Sequence, residues 1–77
     1  MTYGFTTIER KGVVVVITHN GNMSNTVEHS VQPNVDAMLG DGVFNRLRKH
    51  GKEEGSPDYA WSMTIPGKAF DELIRTN

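Results

Sequence analysis

The side chains with the strongest claim to chemistry in this 77-residue chain are three histidines, His19, His29 and His50. Neutral imidazole is a common metal ligand, and with no cysteine in the sequence no thiolate competes for a metal. Their spacing argues against a shared site. His19 falls at the expected tip of a β-hairpin and His29 several residues along the expected partner strand, at about 3.3 Å per residue. No HxxxH or HExxH motif occurs. His29, between Val27 and Val31, reads instead as a partly buried, hydrogen-bonded side chain or an interface group, so no metal is expected.

Other catalytic sets are equally hard to assemble. No serine sits in a G-x-S-x-G turn and no cysteine offers a thiolate. Glu28 and His29 do not make an acid-base pair on a strand, because adjacent strand residues face opposite sides. Gly40-Asp41-Gly42 lacks the GxxxxGK[ST] frame of a phosphate loop, so no cofactor is expected. These absences favour a binding protein over an enzyme.

Arg46, Arg48, Lys49, His50 and Lys52 form the one basic cluster, and such side chains neutralise phosphates as counterions are released. Cations at a helix C-terminus are favoured by the macrodipole alone, however, and Glu53 and Glu54 follow at once. The formal net charge of −1 supplies no long-range attraction for nucleic acid. Arg46 and Lys49 share a helix face at i, i+3 while Arg48 points elsewhere, which makes a rim rather than a stripe. Glu53, Glu54 and Asp58 flank Gly55-Ser56-Pro57; they are few for a phosphate mimic and suit a solvated loop.

Tyr59 and Trp61 are expected on one strand face, where aromatics stack on unpaired bases, anchor a protein interface or fill a core. The alternation Tyr59, Trp61, Met63, Ile65 places Trp61 in a layer beneath helices. A buried indole N–H then needs an acceptor, which the sequence does not name.

The elements that must position these groups follow from periodicity and breakers. Loose alternation from Thr2 to Ile8 predicts a strand that ends in a turn at Glu9-Arg10-Lys11-Gly12. The β-branched run Val13 to Ile17 predicts a central strand, apolar on both faces. His19-Asn20-Gly21-Asn22 predicts a hairpin into a third strand from about Met23 to Val31. A two-residue loop there sets Val14 and Val16 beside Met23, Val27 and Val31; a three-residue loop sets Val13, Val15 and Ile17 there instead. The apolar pattern fits both.

Pro33 is read as ending that strand and Asn34 as capping a helix that carries Val35, Met38, Leu39, Val43 and Leu47. Gly40 and Gly42 should break it, each costing about 1 kcal/mol in a helix interior. Asp41 is then expected to recap a segment running to His50, with Gly51 as the stop. Residues 51–57 (GKEEGSP) read as a mobile loop. Tyr59 to Ile65 predicts a fourth strand, and Phe70, Leu73 and Ile74 predict a terminal helix that frays at Thr76-Asn77.

The order β-β-β-α-β-α predicts one α+β domain over residues 1–77, with a mostly antiparallel four-stranded sheet and helices packed on one face. Val14 and Val16 point away from Val13, Val15 and Ile17, so one apolar face is left over, and a domain this small draws only roughly 3–5 kcal/mol from its core. Covering that face by a second copy, as a homodimer, or by another protein is one expected consequence; the alternative is that the helices and the loop of residues 51–57 straddle both faces.

The longest apolar run is five residues, Val13 to Ile17, where a membrane span needs about 20, so no membrane association is expected. Lack of cysteine and of a signal-peptide pattern suggests a cytoplasmic protein. In size and composition the chain resembles the short accessory proteins of bacteriophages and mobile elements, anti-CRISPR inhibitors among them, a resemblance that transfers no residues. It implies a non-enzymatic viral inhibitor or adaptor that occupies a surface of a larger host assembly, for instance a nucleoprotein, in the host cytoplasm. The candidate contacts are Arg46, Arg48, Lys49, Lys52, Glu53, Glu54, Asp58, Tyr59 and Trp61. A small nucleic-acid-binding protein using Arg46 to Lys52 is the alternative.

Overall fold

Two β-branched strands open the chain because Val, Ile and Thr fit a pleated surface better than a helix. In the computed structural model, which describes residues 5–20 and 26–75, these are β1 (Phe5–Lys11) and β2 (Val14–Asn20). Gly12, at φ 64, turns the chain between them. β1 therefore runs three residues beyond its expected end, through the charged Glu9-Arg10-Lys11 segment, which an edge strand tolerates.

Three short helices follow: α1 (Val27–Ser30), α2 (Gln32–Leu39) and α3 (Val43–Arg48). Then come β3 (Lys52–Ser56), β4 (Ala60–Pro66) and α4 (Gly67–Arg75). The sheet is antiparallel throughout, in the order β1-β2-β4-β3, so the α+β class with a four-stranded antiparallel sheet holds. Its third strand in the chain is residues 52–56, and the described part of the expected third strand, residues 26–31, is α1 with its flanking residues.

The correction has a physical cause. Val27, Val31 and Val35 satisfy a period of two, yet they also recur every four residues, which is one face of a helix. The helical period wins, and all three are buried. Pro33 lies in the first turn of α2, where its missing N–H costs nothing, so it starts a helix rather than ending a strand. Asn34 is inside α2 and is not its N-cap, a position held by Val31. Gly21, Asn22 and Met23 of the expected turn and strand, the expected strand start at Thr2, and Thr76-Asn77 lie outside the described residues.

The helix breaks at Gly40–Gly42 as expected, but Asp41 does not recap it. Gly42, at φ 80, holds the cap position of α3, and Asp36 reaches from α2 to accept the Phe44 N–H at 3.0 Å. Residues 52–56 are not a loop: they pair along β4, with Glu53 opposite Met63 and Gly55 opposite Trp61. Charged residues suit this strand because it is an edge, open to water on one side.

Burial follows the pleat. Val15, Ile17 and His19 of β2 and Trp61, Met63 and Ile65 of β4 point to one face. There they form a single apolar cluster with Val27, Val31, Val35, Val43, Phe44, Leu47 and Phe70 from the helices. All four helices thus contribute to the covering of one face, and among the described residues no element covers the other. The structure makes the Val14 and Val16 side the open one, a choice the apolar pattern left undecided, and that face is apolar mainly along β2.

Candidate protein-interaction surface

The β3–β4 hairpin carries most of the candidate contact residues. Its turn is Ser56-Pro57-Asp58-Tyr59, with Pro presetting φ for the second position and the Tyr59 N–H returning to the Ser56 carbonyl at 3.0 Å. The Ser56 hydroxyl bonds the Asp58 carboxylate, and Pro57 is buried. Just before the turn, Gly55 sits at φ 84, where a Cβ would lie 2.0 Å from the Ala60 carbonyl oxygen. Only glycine fits that approach. The turn therefore holds Tyr59 in place at the hairpin tip with 83% of its surface exposed. Tyr59 does not share the buried face of Trp61, because the strand begins one residue after it.

Trp61, by contrast, is only 3% exposed and belongs to the core. Its indole N–H donates to Glu53 Oε1 at 3.3 Å, and its ring lies 6.2 Å from that of Phe44. Glu53 in turn accepts from Arg48 Nε at 2.6 Å and Nη2 at 3.3 Å. Arg48 Nη1 reaches Glu28 at 3.0 Å, and the guanidinium stands 5.7 Å from the Phe44 ring centre. The Arg48 hydrogen bond, above all, holds the Glu28 carboxyl below its ordinary value, and the bond to Glu53 raises Arg48 further.

Arg48, Glu53 and Trp61 are thus joined in a strap linking α1, α3, β3 and β4. Three of the nine expected contacts are engaged within the chain, Trp61 buried and Arg48 and Glu53 partly exposed.

The basic rim divides accordingly. Arg46 is half-buried, its Nη1 beside Gly42 at 3.6 Å from where a Cβ would stand. Lys49 and Lys52 remain exposed, with Glu54, Asp58 and Tyr59.

The histidines separate too. His29 is exposed on α1, its Nδ1 2.8 Å from the Thr26 hydroxyl, instead of partly buried on a strand. His50 is exposed beyond α3. His19 lies within β2 rather than at a tip and is fully buried, with Nδ1 2.6 Å from Thr6 Oγ1. Asn34 donates to the same hydroxyl at 2.9 Å and to the Ser30 carbonyl at 3.1 Å. The series Val15, Ile17, His19 at i, i+2, i+4 was the signal that places His19 inward. Among the described residues no group of three His, Cys, Asp or Glu is gathered as for a metal ion.

Sequence reasoning missed the composition of the open sheet face, because it lacked the partner strands. Directly opposed residues in antiparallel strands share a face. The registers therefore align Thr7, Thr18, Ser62 and Glu54 in one row across the sheet, and Glu9, Val16, Thr64 and Lys52 in the next. Thr7 and Thr18 bond hydroxyl to hydroxyl at 2.5 Å. Phe5, 72% exposed, stands at the same end of the sheet as the hairpin tip, opposite Asn20, itself opposite Ala60. Thr18, Asn20, Glu54 and Ser62 line a shallow depression of about 440 Å³ there.

No protein-family model, curated protein or solved structure matches the chain. Among the described residues no helix is long and apolar enough to cross a membrane.

Proposed function

We propose that the chain is a non-enzymatic protein-binding module, an inhibitor or adaptor that occupies a surface of a larger assembly through the tip of its β3–β4 hairpin. The observation that carries this reading is Tyr59: a large aromatic, 83% exposed, on a turn closed by its own N–H to the Ser56 carbonyl and by the Ser56–Asp58 side-chain bond. Tyrosine on a rigid turn supplies wide amphipathic contact area at low entropic cost, which is why it recurs at binding hot spots. Glu54 and Asp58 on the same hairpin give the tip an acidic margin that favours a protein partner of complementary charge, while Lys52 lies at the far end of β3, opposite Thr64.

The absence of cysteine suits a reducing cytoplasm, and the size and composition suit a phage-type accessory protein acting on a host nucleoprotein assembly. Arg48, the best-placed guanidinium for phosphate, already serves two carboxylates, which weighs against the nucleic-acid alternative.

The test is affinity capture with the wild type, Tyr59→Ala and the equally exposed control Val13→Ala. One stoichiometric protein retained by the wild type and the control but lost with Tyr59→Ala supports the reading. Retention by all three removes the hairpin tip from the interface, and capture that collapses steeply with salt together with nucleic acid favours the phosphate-binding alternative.

A further inference from the structure

We infer that the open face of the sheet is the seat of a second copy of this chain, packed face to face about a two-fold axis parallel to the strands. The argument is charge complementarity written into the register. An axis lying between β2 and β4 exchanges β1 with β3 and β2 with β4, and keeps each cross-strand row over itself. It sets Glu9 of one copy against Lys52 of the other, twice, because the two stand at opposite ends of one row. In the neighbouring row the same operation sets the Thr7 hydroxyl against the Glu54 carboxylate. Down the middle it sets Val14 against Pro66 and Val16 against Thr64. Each charge on the strands of these two rows meets an opposite charge or a hydroxyl donor, and the apolar residues of β2 leave water. Within one copy, among the described residues, Glu9 pairs with Lys11 at 3.9 Å with both side chains mostly exposed, so it is available to a partner.

The area bounds the strength. Four strands of up to seven residues project roughly 450 Å² per copy, about 900 Å² for the pair. A standard stable interface buries about 1,200–2,000 Å². The dimer is therefore a weak one, dissociating in the micromolar range.

One consequence rests on the reading of Tyr59 as a contact. An axis parallel to the strands brings both hairpin tips to the same end of the dimer, so two Tyr59 side chains face one partner surface and bind with avidity. An in-plane axis across the strands would send them to opposite ends, and would oppose Lys52 to Glu54 instead of Glu9.

Sedimentation equilibrium from about 5 to 500 µM on the full chain tests this, a range that brackets micromolar dissociation. The wild type should shift from monomer to dimer across it. Glu9→Lys and Lys52→Glu should each weaken the dimer at least tenfold, and the double variant should restore it; circular dichroism checks that both exposed substitutions leave the fold intact. A wild type monomeric at every concentration overturns the inference. So does a dimer insensitive to Glu9→Lys, which would point to the crossed axis or another surface. Tyr59→Ala leaves the dimer unchanged, so loss of partner capture by that variant and loss of dimer by Glu9→Lys fail separately.

Discussion

Glu53 Oε1 accepts the indole N–H of Trp61 at 3.3 Å while the same carboxylate holds Arg48 at 2.6 Å. An edge-strand residue thereby satisfies the polar atom of a core tryptophan and pins a helix to the sheet. Replacing Arg48 by Met keeps the apolar stem over Phe44 but releases both Glu53 and Glu28. We expect a loss of about 1 kcal/mol, typical of a partly exposed ion-pair network. Trp61 emission should change little, since the core that buries it stays in place. A red shift comparable to unfolding would mean that Arg48 holds the whole hairpin down.

The same strap sets an acid limit. Glu28 is held below its ordinary value of 4.5, chiefly by the Arg48 hydrogen bond. A depressed carboxyl contributes stability that is fully present above the unfolded value and is lost as pH falls through the folded one. Melting temperature should therefore be level above about pH 5 and fall below it. Glu28→Gln should flatten part of that slope. The effect is small, because Glu28 is solvent-exposed, and an unchanged slope in Glu28→Gln would assign the acid limit to other carboxylates.

Asp36, not Asp41, closes the first turn of α3, by accepting the Phe44 N–H at 3.0 Å. Asp36→Ala leaves that donor without its side-chain acceptor and should cost about 1 kcal/mol. In a domain of this size that is roughly 4–8 °C in Tm. Asp41→Ala should stay within about 0.5 kcal/mol. Equal effects of the two would contradict the observed cap.

These caps and straps explain how far the fold was readable in the sequence. β4 was readable because Trp61, Met63 and Ile65 alternate with Ser62 and Thr64 and have no competing period. The break in the second helix was readable because Gly40 and Gly42 are costly in any helix. Val27, Val31 and Val35 satisfied two periods at once, and only the tertiary choice of a buried helical face decided between them. β3 was hidden because an edge strand carries charges that, taken locally, spell a loop. Its clue was Ser56-Pro57-Asp58-Tyr59, a turn signal immediately before a strongly alternating strand. Tyr59 and Trp61 could not be told apart by alternation alone, since what separates them is where the turn ends.

Gly55 is the backbone hinge of that hidden strand. At φ 84 an L side chain is strained, and its Cβ would meet the Ala60 carbonyl oxygen at 2.0 Å, a backbone atom that cannot swing away. Gly55→Ala should cost about 2 kcal/mol or more, combining left-handed strain with that clash. Hydrogen exchange should show lost protection confined to residues 52–56 and their partners on β4. Protection lost uniformly across the sheet would show instead that the hairpin and the β1–β2 pair open as one unit.

Two threonines one residue apart on β1 face opposite sides of the sheet, and their hydroxyls should differ sharply in worth. Thr6 stands between the Asn34 amide and the buried ring of His19, whereas Thr7 meets the Thr18 hydroxyl on the open face. Valine preserves the β-branch in both cases, so strand propensity is held constant. Thr6→Val removes a partner from each of two groups on the covered face and should cost about 1–3 kcal/mol. Thr7→Val releases a hydroxyl that turns to water and should change stability by less than about 0.5 kcal/mol when measured dilute enough to stay monomeric. Asn34 donates to Thr6 Oγ1 but leaves it a second lone pair, so the bond to His19 runs in the direction the ring tautomer sets: a proton on Nε2 makes Thr6 the donor to Nδ1. Nitrogen-15 shifts of the His19 ring report that tautomer directly, and an Nδ1–H signal would reverse the direction of the bond. Equal costs for the two valine variants would show that the covered face is wetter at β1 than the packing of Thr6, His19 and Asn34 allows.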